Sequence, residues 1–328
     1  MNPETPPQKN PSAFSVPFPE MEKAFSLFLG RKPNQSSPPV FDNIRQMYQA
    51  LANSAEFKAS PRSFKTALGW PHSQLFVSQP AKVLYCPIGK NACSFFKSQM
   101  LRISDIPFAN YIIQRDTHFL TDRVRTGAQL SDYSPEKATA IMNSSDYFKF
   151  AIIRDPAERL LSAYIEKFVL GRLAPANIQH TRTVIDPVQK RNGTARPDYD
   201  RGISFRDFVE QITSVDAETL DPHWRPQSLY LKGIQYDRIY DFGAINEVVD
   251  LLEERSGIPL PRRPLNVTGS GNNTGTVHPG AADLFPAEIE ALPRLDKSSF
   301  VDAELEELIT DYFCEDIRLL ETPKSPVS

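Results

Sequence analysis

Apolar and polar positions along the chain change period several times. KVLYC, at 82–86, is a short apolar run that reads as a buried strand, and a helix follows from about Ala92 to Leu101. A second run, 149–153, precedes a helix over 156–169, in which Leu160, Tyr164 and Phe168 form an i, i+4 core stripe. Ser134-Pro135 opens a helix between them, with Ser134 as N-cap and Pro135 in the first turn. Further on, the pattern predicts a helix near 205–212, a strand within 236–242, a helix over 244–255 closed by Gly257, and a C-terminal helix over 302–320. Ile44, Met47, Tyr48 and Leu51 have helical spacing within 41–60. Two stretches show no period and read as loops, 171–203 and 259–280.

Alternation of strands and helices predicts an α/β fold with a mainly parallel sheet. Residues 1–40, rich in Pro, Ser and Asn, read as a flexible segment with one amphipathic patch at Met21 to Leu29. Residues 41–79 read as a helical extension packed on a core domain of 80–322, with 323–328 as a tail.

The 328 residues are 40% hydrophobic and 23% charged, ordinary for a globular protein. A net charge of −3 gives no global field for nucleic acid, so any anion site must be local. No apolar run reaches the roughly 18 residues of a bilayer span. The N-terminus lacks the basic and apolar regions of a signal peptide, and the expected location is cytoplasmic. Three cysteines without CxxC spacing argue against a disulfide framework or a zinc motif.

Two strand-to-helix junctions carry the candidate chemistry, because free N–H groups and the helix dipole converge at such a terminus. In CPIGKNACS, 86–94, Gly89 allows a tight turn, Lys90 supplies a charge, and Asn91 to Ser94 offer successive N–H groups. A Walker A loop needs Ser or Thr directly after the lysine; Asn91 stands there instead. In RDPAERLLSAY, 154–164, Asp155, Pro156 and Glu158 fit helix capping. That leaves Arg154 at the strand's carboxyl end, with Arg159 and Ser162 three apart on one helix face. Arg154 and Ser162 could reach one phosphate, and Arg159 is set to pair with an acidic neighbour.

Together with LSDYSPEKA at 130–138 and DPHWRPQ at 221–227, these segments resemble the sulfotransferase superfamily over roughly 80–322. The likeness is nearest to the carbohydrate sulfotransferases of the HNK-1 and dermatan/chondroitin type. The uronyl 2-O-sulfotransferases are more distant. Gly89 stands where that family usually has proline. The resemblance implies a P-loop-NTPase-like three-layer fold, with a central, mainly parallel sheet flanked by helices. It also implies a sulfate donor, 3′-phosphoadenosine 5′-phosphosulfate (PAPS), and a glycan or small hydroxylated acceptor. By the same likeness Lys90, Asn91, Ala92, Cys93 and Ser94 cradle the 5′-phosphosulfate, Arg154 and Ser162 hold the 3′-phosphate, and the loop 266–276 is a lid.

Sulfuryl transfer needs a base, a histidine or a carboxylate, and a stabilised leaving phosphate. Lys90 suits the second role, and with lysine supplying charge no metal is expected. Of five histidines, His118 lies between the nucleotide motifs and His223 lies in the DPHWRPQ knot. His118 is placed ahead of His223 as base, and His180 reads as a surface residue. Trp224 and Arg225 suit stacking on a sugar and pairing with its acid groups. Rival readings are a P-loop-type nucleotide kinase and an inactive nucleotide- or glycan-binding module. Neither the acceptor nor the oligomeric state is written in the sequence.

Overall fold

A computed structural model describes residues 16–262 and 275–321. Its centre is one sheet of four strands, β1 (Phe76–Ser78), β2 (Val83–Cys86), β3 (Phe148–Ile153) and β4 (Arg238–Asp241), in that spatial order. β2, β3 and β4 are parallel, and β1 joins β2 antiparallel. The α/β expectation therefore holds. β1 lies inside the stretch that reads as a helical extension; three residues are too few to display a period.

Helices cover both faces of the sheet, which is why β2 and, Lys149 apart, β3 are apolar without alternation, whereas the edge strand β4 carries Arg238 and Asp241. Val83, Tyr85, Phe150, Ile152 and Tyr240 face one core, with Phe28, Met47 and Phe96. Leu84, Cys86, Ala151 and Ile153 face another, with Leu130, Ile141 and Tyr230. Leu160, Tyr164 and Phe168 anchor a third cluster with Phe205, Phe208 and Trp224. The pairing places Cys86 beside Ala151 and Ile153 beside Asp241, so the segments leaving β2, β3 and β4 open on the same side. That carboxyl edge is where open α/β sheets take ligands.

Several expectations are met. Ser134 caps the helix Pro135–Asn143 by accepting from the Lys137 N–H. Gly257, at φ +68°, closes the helix Ile245–Ser256. Met47, Tyr48 and Leu51 are buried on the helix Ile44–Asn53.

Others are corrected. The patch near Met21 is a full helix, Phe18–Leu29, whose Met21, Phe25 and Phe28 enter the core. The stretch 171–203 carries a helix, Pro175–Arg191. Its buried Val184, Ile185 and Val188 are few, and Pro187 inside it hides the period. The segment after Pro156 is α-helical only to Tyr164 and continues as a π-helix over Ile165–Leu170. The C-terminal helix is two, Ala303–Tyr312 and Cys314–Glu321. Among the described residues, no helix is long and apolar enough to cross a membrane.

Candidate active site

The first anion loop links β2 to the helix Cys93–Arg102. Lys90 and Ala92 sit in the left-handed region, at φ +72° and +57°. Each such residue costs about 1–3 kcal/mol and persists where the surroundings hold it, typically at functional sites. Gly89 does not need its conformational freedom; a Cβ there would meet His223 Cα and the Pro222 carbonyl at an ordinary 3.7 Å. Asn91 is not part of an anion cradle. Its N–H donates to the Ile88 carbonyl, and its buried amide donates to the Ile152 carbonyl at 2.8 Å and to Gln227 Oε1 at 2.6 Å. Lys90 and the helix terminus at Ala92, Cys93 and Ser94 remain, where the first N–H groups have no intrahelical acceptor.

At the second loop, Asp155 accepts from the Glu158 N–H and caps the helix as expected. The Glu158 carboxylate does not close a capping box. It bridges Arg154 Nε, at 3.1 Å, and Lys297. Burial alone would raise its pKa, but Lys297 and Arg154 hold it below the ordinary value. The Arg154 side chain is 3% exposed, and its guanidinium lies 4.6 Å above the Phe242 ring. Among the described residues Arg159 forms no ion pair. It is fully buried and donates to the carbonyls of Gly89 (3.0 Å), Arg225 (2.8 Å) and Pro222 (3.2 Å). It braces the first loop against the DPHWRPQ knot.

In that knot, Asp221 Oδ1 receives His223 Nδ1 at 2.6 Å, and Oδ2 receives His180 Nδ1 at 2.7 Å. Burial lowers the His223 pKa, and Asp221 partly offsets it. The aspartate bond assigns the ring proton to Nδ1 and leaves the Nε2 lone pair available. His180, read as a surface residue, is thus part of the cleft. Trp224 does not face a sugar. It is completely buried, with its ring 5.6 Å from Phe168 and 5.7 Å from Phe208. Arg225 is also structural: it grips the Leu220 carbonyl and lies 4.4 Å above Trp70.

His118 stands on the helix Thr117–Arg123, with Lys97 Nζ 3.0 Å from its Nδ1 and Ser94 Oγ 2.9 Å from its Nε2. Solvent reaches the ring, yet the crowded walls desolvate its charged form, and the Lys97 ammonium opposes a second positive charge. Both lower its pKa. A donating ammonium at Nδ1 places the ring proton on Nε2, so neither nitrogen presents a free lone pair.

A cavity of about 870 Å³ joins these parts, lined among others by Lys90, Ser94, His118, Arg154, Ser162 and His223. Lys90 pairs there with Glu166, which also lies 3.1 Å from Lys167. Burial works against the Glu166 charge, but the two lysines hold its carboxyl down at about 2. Glu166 and Asp221 are not singled out by sequence reasoning, although one lies a helical turn past Ser162 and the other opens the knot. Gln227, the last residue of the knot, ties Asn91 to Arg154. The suggested lid, 266–276, lies outside the described residues except for its last two positions.

A family model described as "Sulfotransferase family" matches residues 73–266. Carbohydrate sulfotransferase 14 of Danio rerio is 28% identical over 202 residues, covering 61% of this chain and 52% of the relative. Carbohydrate sulfotransferase 10 of Mus musculus is 28% identical over 208 residues, covering 62% and 55%. Carbohydrate sulfotransferase 8 of Homo sapiens is 26% identical over 228 residues, covering 65% and 48%. The chain spans about half the length of these curated relatives. No solved structure gives a significant match.

Proposed function

This chain belongs to the sulfotransferase family, and we propose that it transfers a sulfuryl group from PAPS to a hydroxyl of a carbohydrate or glycoside. The observation that carries this is the joining of two anion loops and a carboxylate-bound histidine in one cavity. The relatives, carbohydrate sulfotransferases by name, support the carbohydrate class of acceptor.

The residues present suit a nucleotide with a phosphate group at each end. Lys90 and the helix terminus at Ala92–Ser94 take the 5′-phosphosulfate, and Arg154 with Ser162 takes the 3′-phosphate. In the reaction the acceptor oxygen forms a bond to sulfur as the bond from sulfur to the bridging phosphate oxygen breaks. Charge spreads over the equatorial oxygens and then onto the leaving phosphate, as in phosphoryl transfer. Lys90 opposes that charge.

The acceptor proton goes to His223 Nε2, and Asp221 stabilises the imidazolium that forms. This is the orienting role an aspartate plays for a histidine base. His118 is set aside as base because its Nδ1 meets Lys97. It orients Ser94 at the mouth of the first loop. Calorimetry with adenosine 3′,5′-bisphosphate tests the nucleotide half of this reading. Micromolar binding without Mg²⁺, abolished in Arg154→Ala, is expected. Preference for ATP with Mg²⁺ would overturn it in favour of a kinase.

A further inference from the structure

We propose that His180, Asp221 and His223 form a binding site for one divalent transition-metal ion, of the borderline-soft class to which Zn²⁺ and Co²⁺ belong. No spacing motif announces it, because the fold brings His180, on the helix Pro175–Arg191, against a knot some forty positions further on. One donor atom from each residue lies within 4.8 Å of the others. The two imidazole rings are 4.7 Å apart, and each turns Nδ1 toward a different oxygen of the same carboxylate. Asp221 is held for this task, since the His223 backbone N–H donates to its Oδ1 at 2.9 Å.

Two imidazole nitrogens and one carboxylate oxygen are a donor set for zinc-like ions, whose bonds to nitrogen are about 2.0–2.1 Å long. Calcium and magnesium select oxygen donors instead. The three side chains are 30%, 13% and 29% exposed, so an ion can enter from the cleft that His180 and His223 line. The neighbouring Lys167 ammonium opposes a cation, but Glu166 at 3.1 Å offsets it. Three protein donors leave one tetrahedral position for water. The ion takes the two Nδ1 lone pairs, and the ring proton that each Nδ1 now shares with Asp221 moves to Nε2 of the same ring, so neutral rings release no net proton.

The consequence for transfer rests on His223 being the base. With Nδ1 on a metal, its remaining proton sits on Nε2, and the ring cannot accept one from the acceptor. Occupancy therefore silences transfer without touching the nucleotide loops.

The test is titration of the metal-free 328-residue chain with Co²⁺, followed by its visible absorption and by calorimetry in two buffers of different ionisation enthalpy. One ion per chain with nitrogen–oxygen ligation and no net proton release above pH 8 is expected. Binding should be at least tenfold weaker in His180→Ala and in Asp221→Asn. Binding that is absent at millimolar metal, or unchanged in both variants, overturns the site. Transfer activity with and without Zn²⁺, each variant against its own metal-free rate, reads the consequence. Inhibition of the parent chain that a chelator reverses, and that His180→Ala lacks, supports the inhibitory role. Tight binding with undiminished transfer overturns that role and counts against His223 as base, while leaving the site intact.

Discussion

The side-chain oxygen of Gln227 accepts a hydrogen bond from the backbone N–H of Arg154 at 3.0 Å, across 73 positions of sequence. The same oxygen receives the Asn91 amide at 2.6 Å, and the Gln227 amide returns a bond of 2.8 Å to the Arg154 carbonyl. Asp316 holds Gln227 from behind, accepting from its backbone N–H at 2.8 Å. One glutamine thus fixes the distance between the two anion loops, and a ligand gripped at both ends requires that distance to be fixed.

Gln227→Leu removes the acceptor that one Asn91 amide hydrogen and the Arg154 N–H use, and the donor to the Arg154 carbonyl, while the Asn91 bond to Ile152 stays. Each such loss costs on the order of 1–3 kcal/mol. We expect a urea midpoint lower by about 2–4 kcal/mol equivalent. Affinity for adenosine 3′,5′-bisphosphate should fall further than the stability change alone explains. A folded variant with parent-like affinity would show that the loops are spaced by other contacts.

Glu166→Gln removes the counter-ion that Lys90 keeps in the ligand-free protein. The carboxylate must yield before a phosphosulfate can reach the lysine, so the variant should bind adenosine 3′,5′-bisphosphate about threefold tighter. Solvent screening at this half-exposed carboxylate keeps the gain within about 1 kcal/mol. Affinity that weakens instead would mean that Glu166 orients Lys90 for the ligand.

The same pair gives a pH prediction. The folded pKa of Glu166, about 2, lies below its ordinary value of 4.5. Its contribution to stability is therefore complete above the unfolded pKa and is lost as pH falls toward the folded one. The stability difference between the parent chain and Glu166→Gln, from urea midpoints, should be flat from pH 7 to 5 and shrink between 5 and 2. A difference that grows on acidification would contradict the ion pair.

Trp224 separates a core role from an acceptor role. Trp224→Phe should keep the acceptor KM within about twofold and lower stability by about 1–3 kcal/mol, as a ring is lost from a packed aromatic cluster. A tenfold rise in KM at unchanged stability would return this tryptophan to the acceptor site.

Three of the sheet's four strands and the two junctions were legible because their signals are local. Val83–Cys86 and Phe148–Ile153 are apolar on both faces, and Asp155-Pro156 caps within a few residues. What escaped depends on distant partners. Trp224 and Arg225 look like sugar-binding residues until Phe168, Phe208 and Trp70 close around them. Arg159 looks like half of an ion pair, yet it meets three carbonyls 63 to 70 positions away. The proposed order of His223 ahead of His118 differs from the sequence reading for a similar reason. Which nitrogen holds the proton is set by Lys97 and Asp221, and their placement follows from folding.

The central claim is that His223 takes the acceptor proton during sulfuryl transfer from PAPS. Turnover with labelled PAPS, measured on an acceptor panel of simple glycosides for the parent chain, His223→Gln and His118→Gln, tests it most directly. The account predicts that His223→Gln loses about 10²–10⁴-fold in kcat. Its affinity for adenosine 3′,5′-bisphosphate should stay within twofold of the parent, and His118→Gln should keep at least a tenth of the parent's turnover. Parent-like turnover in His223→Gln, or its collapse in His118→Gln alone, would contradict it.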